Sequence, residues 1–147
     1  MILCSNRIME LLHTSVIPTI TGITDSYPYF APDTAVFPWI TMVPISNDKI
    51  LTFKNEDEME DCIMQFSIFD NNSDTTVIEN TMAELEHSLH RNCPAWDFPA
   101  GNVGGLHIVW IKKFGQPRIV SGPPTENFYR QGIIEFSFRV QMATCVP

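Results

Sequence analysis

The chain predicts an α+β fold, a mostly antiparallel sheet of about four to five strands with two helices packed on one face. Three observations predict it. Residues 133–142, "IIEFSFRVQM", alternate in the manner of a half-buried antiparallel strand, with Ile134, Phe136, Phe138, Val140 and Met142 on one side. Residues 71–92, "NNSDTTVIENTMAELEHSLHRN", place Ile78, Met82, Leu85 and Leu89 at the spacing of an amphipathic helix. The order along the chain is helix, strands, helix, strands, with no internal repeat and no low-complexity tract.

The elements follow in order. Residues 6–16, "NRIMELLHTSV", put Ile8, Leu11, Leu12 and Val16 on one helical face, with Ser5 or Asn6 as cap and Pro18 and Gly22 as stops. "ITDSYPYFAPDTA" holds Pro28, Pro32 and Asp33 and reads as an irregular, extended connection. A strand is predicted over 37–45, where Phe37, Trp39, Thr41 and Val43 alternate with Pro38, Ile40, Met42 and Pro44. Its two prolines cannot donate to a ladder, so they suggest a sheet edge or the strand ends. "SND" at 46–48 reads as a turn, "KILTF" as a short strand, and "DCIMQFSIFD" as another strand. In the second helix Thr76 and Glu79 have capping-box spacing, with Asp74 or Ser73 as competing caps, and Pro94 as stop. "PAWDFPAGNVGG" is irregular, "LHIVWIKKF" (106–114) a strand, and "GQPRIVSGPPTEN" a long loop.

A chain of 147 residues suits one domain spanning 1–147 and a core that needs no disulfides or metals. With 44% hydrophobic and 18% charged residues the class is globular rather than disordered. No apolar run approaches the roughly 18 residues of a bilayer span, so no membrane partner is expected. "MILCSNRIMELLH" has neither a basic head nor a sustained apolar core, which predicts no signal peptide and a protein made in the cytoplasm. Cys4, Cys62, Cys93 and Cys145 form no CxxC pair and no Cys/His spacing that suits zinc, so reduced, structural cysteines are expected. The net charge of −8, with Lys and Arg thinly spread, argues against a surface that grips nucleic acid.

No nucleophile motif, phosphate-binding glycine loop or HExxH appears. "GNVGG" (101–105) precedes a strand rather than a helix, so it reads as a turn. His87 and His90 share a helical face with Glu84 or Glu86 nearby, but a solvated helix end accounts for them, and histidine there suits the helix dipole. Trp39, Trp96 and Trp110 stand beside β-formers, the setting of core or subunit-interface tryptophans. No catalytic, metal or cofactor-binding residues and no cofactor are expected.

The densest charge is "KNEDEMEDC" (54–62), with Glu56, Asp57, Glu58, Glu60 and Asp61. It lacks the alternating ligands and the sharp-turn glycine of a calcium loop. Carboxylates serve acid–base catalysis only when burial splits their pKa values. Five in so short a run repel one another, so an exposed hairpin tip or strand shoulder is the plain expectation. A specific electrostatic role is the alternative.

With these elements in place, the chain over roughly 6–142 resembles the tail-completion, or tail-terminator, proteins of long-tailed phages and prophages. The resemblance is carried by the short N-terminal helix, by "YPYFAPDTAVFPWITMVPIS", by "MQFSIFDNNSDTTVIENTMAELEHSL", and by the late strand pair ending in "FYRQGIIEFSFRVQM". It implies a structural protein of the virion and not an enzyme. It implies a hexameric ring at the head-proximal end of the tail tube, which stops tube polymerisation and docks the head connector while DNA passes through without specific binding. The partners so implied are further copies of the chain, the tail tube protein and the head-completion or connector protein. Other head–tail joining or tail-tube proteins, and a small ligand-binding domain or enzyme, are the alternatives. A closed ring needs a heterologous interface. Phe37, Trp39, Trp96 and Phe98 are the candidates for it, and the acidic run is the candidate for a pore lining or a partner-facing rim.

Overall fold

The computed structural model describes residues 8–10, 12–50, 58–71, 74–91, 106–121 and 129–142. Five strands form one mixed sheet: β1 (Asp25–Pro28), β2 (Trp39–Ile50), β3 (Glu58–Asp70), β4 (Leu106–Ser121) and β5 (Arg130–Met142), in the order β1-β2-β3-β5-β4. Only β1 runs parallel to its neighbour; the other three pairings are antiparallel. Two helical segments cover one face of the sheet, so the expected α+β architecture is the one observed.

The strand pleat explains the core. Side chains alternate across a strand, so every second residue of β3 and β5 faces the helices. On that face lie Cys62, Met64, Phe66 and Ile68 from β3 and Ile134, Phe136, Phe138 and Val140 from β5, all buried. Ile40 and Met42 of β2 and Ile111 of β4 complete the sheet's contribution. Phe66 and Phe136 meet edge to face at 5.7 Å, the arrangement that aromatic quadrupoles favour.

The long helix (Thr76–Glu86, continuing as a π-turn over His87–Arg91) buries Ile78, Leu85 and Leu89, while Met82 packs against the core from its edge. Thr81 is buried beside this stripe, its hydroxyl donating to the Val77 carbonyl at 2.8 Å. The capping differs from a box centred on Thr76. The cap residue is Thr75, and the Asp74 carboxylate accepts from the Thr76 N–H at 3.2 Å. The N-terminal segment is helical at 8–10, then a π-turn (Leu12–Val16) and a 3₁₀ turn (Ile17–Thr19). It buries Ile8, Met9, Leu12, Val16, Ile17 and Ile20. Pro18 opens the final 3₁₀ turn, where its missing N–H costs nothing, and the helical segment ends at Thr19, between the expected stops Pro18 and Gly22. Thr21 binds this segment to the long helix, donating from its N–H and hydroxyl to the Glu84 carboxylate at 3.0 and 2.7 Å.

Several expected boundaries move. Asp25–Pro28, inside the stretch expected to be irregular, is a strand that pairs with Trp39–Met42. Residues 46–48 do not turn. A register shift between Pro44 and Ser46 absorbs the turn-prone stretch, and β2 runs straight through to Ile50. Residues 115–121 belong to β4 rather than a loop; a second irregularity between Phe114 and Arg118, with Gly115 at φ 72°, lets the strand pass Pro117. β5 starts three residues before its expected beginning, at Arg130. Pro38 stands just before β2, after a cis peptide bond, and Pro44 sits at the bulge beyond the reach of β1. Both are places where a strand tolerates proline. Leu11, residues 51–53 of the expected short strand, Ser73, Cys4, Cys93, Cys145 and the "PAWDFPAGNVGG" segment lie outside the described residues.

Candidate functional site

The face of the sheet away from the helices carries the candidate surface. Phe37 stacks on Trp39 with centroids 4.3 Å apart, and Trp39 stacks on Phe69 at 5.6 Å. Phe69 meets Tyr129 at 5.8 Å. Strand register builds this row, because Trp39 of β2 lies opposite Phe69 of β3, and Phe69 lies opposite Gln131 of β5, two residues from Tyr129. Phe37, Trp39 and Phe69 are half-buried and Tyr129 is exposed. The Trp39 Nε1–H is buried with no hydrogen-bond partner among the described residues. Of the four residues expected at a subunit interface, Phe37 and Trp39 stand side by side in this row, whereas Trp96 and Phe98 lie outside the described residues. Phe69 and Tyr129 were missed as members of the row. Phe69 shares its strand face with Gln65 and Ser67, which reads as polar.

Further along the same face the acidic run meets β5. Arg139 donates to Asp61 through Nε and Nη2 at 2.8 and 2.9 Å, a two-point grip. These hydrogen bonds, with the positive charge behind them, hold the Asp61 carboxyl below its usual range and raise the Arg139 guanidinium. Trp110 lies between two cations, with Lys112 Nζ 4.5 Å and the Arg139 guanidinium carbon 5.1 Å from its ring centroid. This places Trp110 in a surface cluster rather than the core.

The acidic run is not a solvated tip along its whole length. Glu58, Glu60 and Asp61 belong to β3, and Glu60 is buried on the helix-covered face in line with Cys62 and Met64. Glu56 and Asp57 lie outside the described residues. Burial, and then the Glu60 charge, push the Cys62 thiol up to about 12. Cys62 is therefore an inert core residue. His87 is exposed, as a solvated helix end requires. Among the described residues, no three His, Cys, Asp or Glu side chains converge as metal ligands. No helix among them is long and apolar enough to cross a membrane.

A cleft of about 330 Å³ opens at the other end of the sheet, lined by Met9, Glu10, His13, Pro28, Tyr29 and Met42. His13 Nδ1 is hydrogen-bonded to the buried Ser26 hydroxyl. Tyr29 is held at φ 67°, in the left-handed region, with its N–H donating to the Met42 carbonyl at 2.9 Å. Beside it Phe30 is 80% exposed.

The described residues thus form an α+β fold on one sheet, with an aromatic row and an Asp61–Arg139 ion pair on the face away from the helices and a cleft beside β1. No protein-family model and no curated protein matches the chain. Solved structures match it in fold, 34 chains among them. One belongs to the structure titled "Virion of native gene transfer agent (GTA) particle", with a TM-score of 0.58 over 92% of this chain and 91% of that chain, at 12% identity. That likeness is one of fold.

Proposed function

We infer that the chain is a structural subunit of a phage-like virion and, more narrowly, a tail terminator. In this reading, copies close a ring at the head-proximal end of the tail tube, end tube growth and dock the head connector, and DNA passes through the pore. The observation that carries the reading is the fold agreement with a chain of a phage-like particle, which spans nearly the full length of both chains. The residue-level resemblance over 6–142 narrows it to the terminator. The aromatic row through Phe37 and Trp39 supplies an apolar surface for a protein partner, the kind of anchor that carries interface energy.

The acidic run takes a narrower role here. Glu60 faces the core and Asp61 is occupied by Arg139, so Glu56, Asp57 and Glu58 are left to line a pore or meet a partner. Carboxylates in a pore repel phosphates and keep the genome from adhering.

Loss of the gene is expected to give overlong tails without heads in electron micrographs. Tails of normal length joined to heads would sink the terminator reading. Particles carrying Glu56→Gln, Asp57→Asn and Glu58→Gln should assemble but eject DNA more slowly. A second reading, another head–tail joining or tail-tube protein, rests on the same fold agreement. Antibody labelling separates the two, marking one end of the tube for a terminator and its whole length for a tube protein.

A further inference from the structure

The virion reading leaves the cleft beside β1 unused. Met9 and Met42 form its floor and are 5% and 1% exposed. Pro28 and Tyr29 wall it, and the exposed Glu10 and His13 stand at its rim. Its volume of about 330 Å³ lies at the low end of ligand sites, roughly 300–1,000 Å³, which suits one or two inserted side chains. Methionine is unbranched and polarizable, so such a floor adapts to an apolar side chain and favours an aromatic one.

Backbone, exposure and charge all mark this end of the molecule as a contact surface. Tyr29 holds a left-handed backbone, which is costly for an aromatic residue and concentrates at binding sites. The loop that it opens displays Phe30 and Val36 to solvent, beside the half-exposed Tyr29 itself. An apolar display of this kind, rimmed by polar residues, is the mark of an interaction site. The charge is one-sided. Between Arg7 and Lys49 the chain has no lysine or arginine, yet it carries Glu10, Asp25, Asp33 and Asp48. Among the described residues no cation pairs with Glu10; the ion pairs are Lys113–Glu86, Arg118–Glu135 and Arg139–Asp61. The His13 ring is fixed through Nδ1 by the Ser26 hydroxyl, which leaves Nε2 for a bound backbone.

We propose that the cleft docks a segment of another protein that presents an aromatic side chain beside a lysine or arginine. The aromatic ring enters over Met9 and Met42 and packs against Tyr29, and the cation meets Glu10 at the rim. Charge complementarity selects this occupant, because the whole stretch around the cleft offers carboxylates and no basic group to an incoming chain. A second copy fits less well. Its own exposed basic and aromatic stretch is 112–114, where Lys113 lies 3.4 Å from Glu86 and Lys112 sits over Trp110. Two chains of net charge −8 also repel one another on approach. The proposal goes beyond the terminator reading and does not depend on it.

Methyl NMR of the full-length chain, labelled at its methionine methyls, tests it. Met9→Leu and Met42→Leu assign the two floor signals. The probes are two short capped peptides, one with phenylalanine between lysines and one with phenylalanine between glutamates. The lysine peptide is expected to shift the Met9 and Met42 signals saturably and to bind at least about tenfold more tightly than the glutamate peptide. Glu10→Gln, an exposed change first checked for native melting, should weaken the lysine peptide about tenfold and leave the glutamate peptide no weaker. No shift at either methyl up to about 10 mM peptide overturns the proposal, as does equal binding of the two peptides. Shifts of the same signals with the chain's own concentration, without peptide, also overturn it, because the occupant is then a second copy. None of these outcomes touches the virion reading, which rests on the fold and is tested by tail length.

Discussion

Replacing Gly132 with alanine tests the packing of the long helix on the sheet. Gly132 sits in β5 between Ile68 of β3 and Ile119 of β4, directly beneath the helix. A Cβ there would overlap Ile78 Cγ2, a buried atom with no free rotation away, and would lie 3.0 Å from Met82 Sδ. Ile78 is β-branched and fixed at χ1, so it has little room to yield, whereas the Met82 thioether is adaptable. Overpacking of this kind costs about 1–3 kcal/mol. Alanine also lowers the entropy of the unfolded chain relative to glycine, which returns about 0.4–1 kcal/mol. The net expectation is a loss of about 1–2 kcal/mol, or a Tm lower by roughly 2–8 °C for a chain of this size. Thermal unfolding by circular dichroism measures it. A second variant isolates the cause: with Ile78→Ala as background, Gly132→Ala should cost measurably less, the non-additivity of residues in contact. An unchanged Tm in the single variant, or full additivity in the double, would refute the close approach of helix to strand.

Other predictions concern charge and the core. Asp61→Asn should lower stability near neutral pH by less than about 1 kcal/mol, because the pair with Arg139 is about a third exposed. The folded carboxyl titrates below its ordinary value of 3.8, so its contribution is present above that value and is lost as the pH falls through the lowered one. The gap between wild type and variant in denaturant titrations should therefore close in acid; a gap that persists would argue against the ion pair. With the other cysteines replaced by serine, Cys62 should resist a thiol reagent near neutral pH until denaturant is added. Rapid reaction of the native protein would show that the site opens.

The fold class and the helix stripe were legible because burial leaves a periodic trace. Ile78, Leu85 and Leu89 had to share a face, and the alternation from Ile134 to Val140 could only be a strand with one side in the core. What was lost lies where local chemistry and tertiary pairing disagree. "SND" and "GQP" carry turn residues, yet each sits next to a bulge that keeps the strand going, and a bulge leaves no pattern of its own. β1 is four residues long and is held by pairing with Trp39–Met42, too short for any period to show. The candidate surface was half legible. Phe37 and Trp39 are close in sequence, whereas Phe69 and Tyr129 reach them only through register across three strands. Arg139 was likewise unremarkable until pairing set it opposite Asp61.

The position of Glu60 and Asp61 within β3 has a consequence for how charge runs are weighed. Adjacent residues of a strand project to opposite sides, so a run of carboxylates threaded into a sheet is sorted as it folds. One joins the interior and its neighbour joins the opposite face, already matched to a cation. The linear charge density of the printed sequence is thus divided before it reaches any surface. Whatever meets this end of the molecule encounters the charge that the pleat has not turned away.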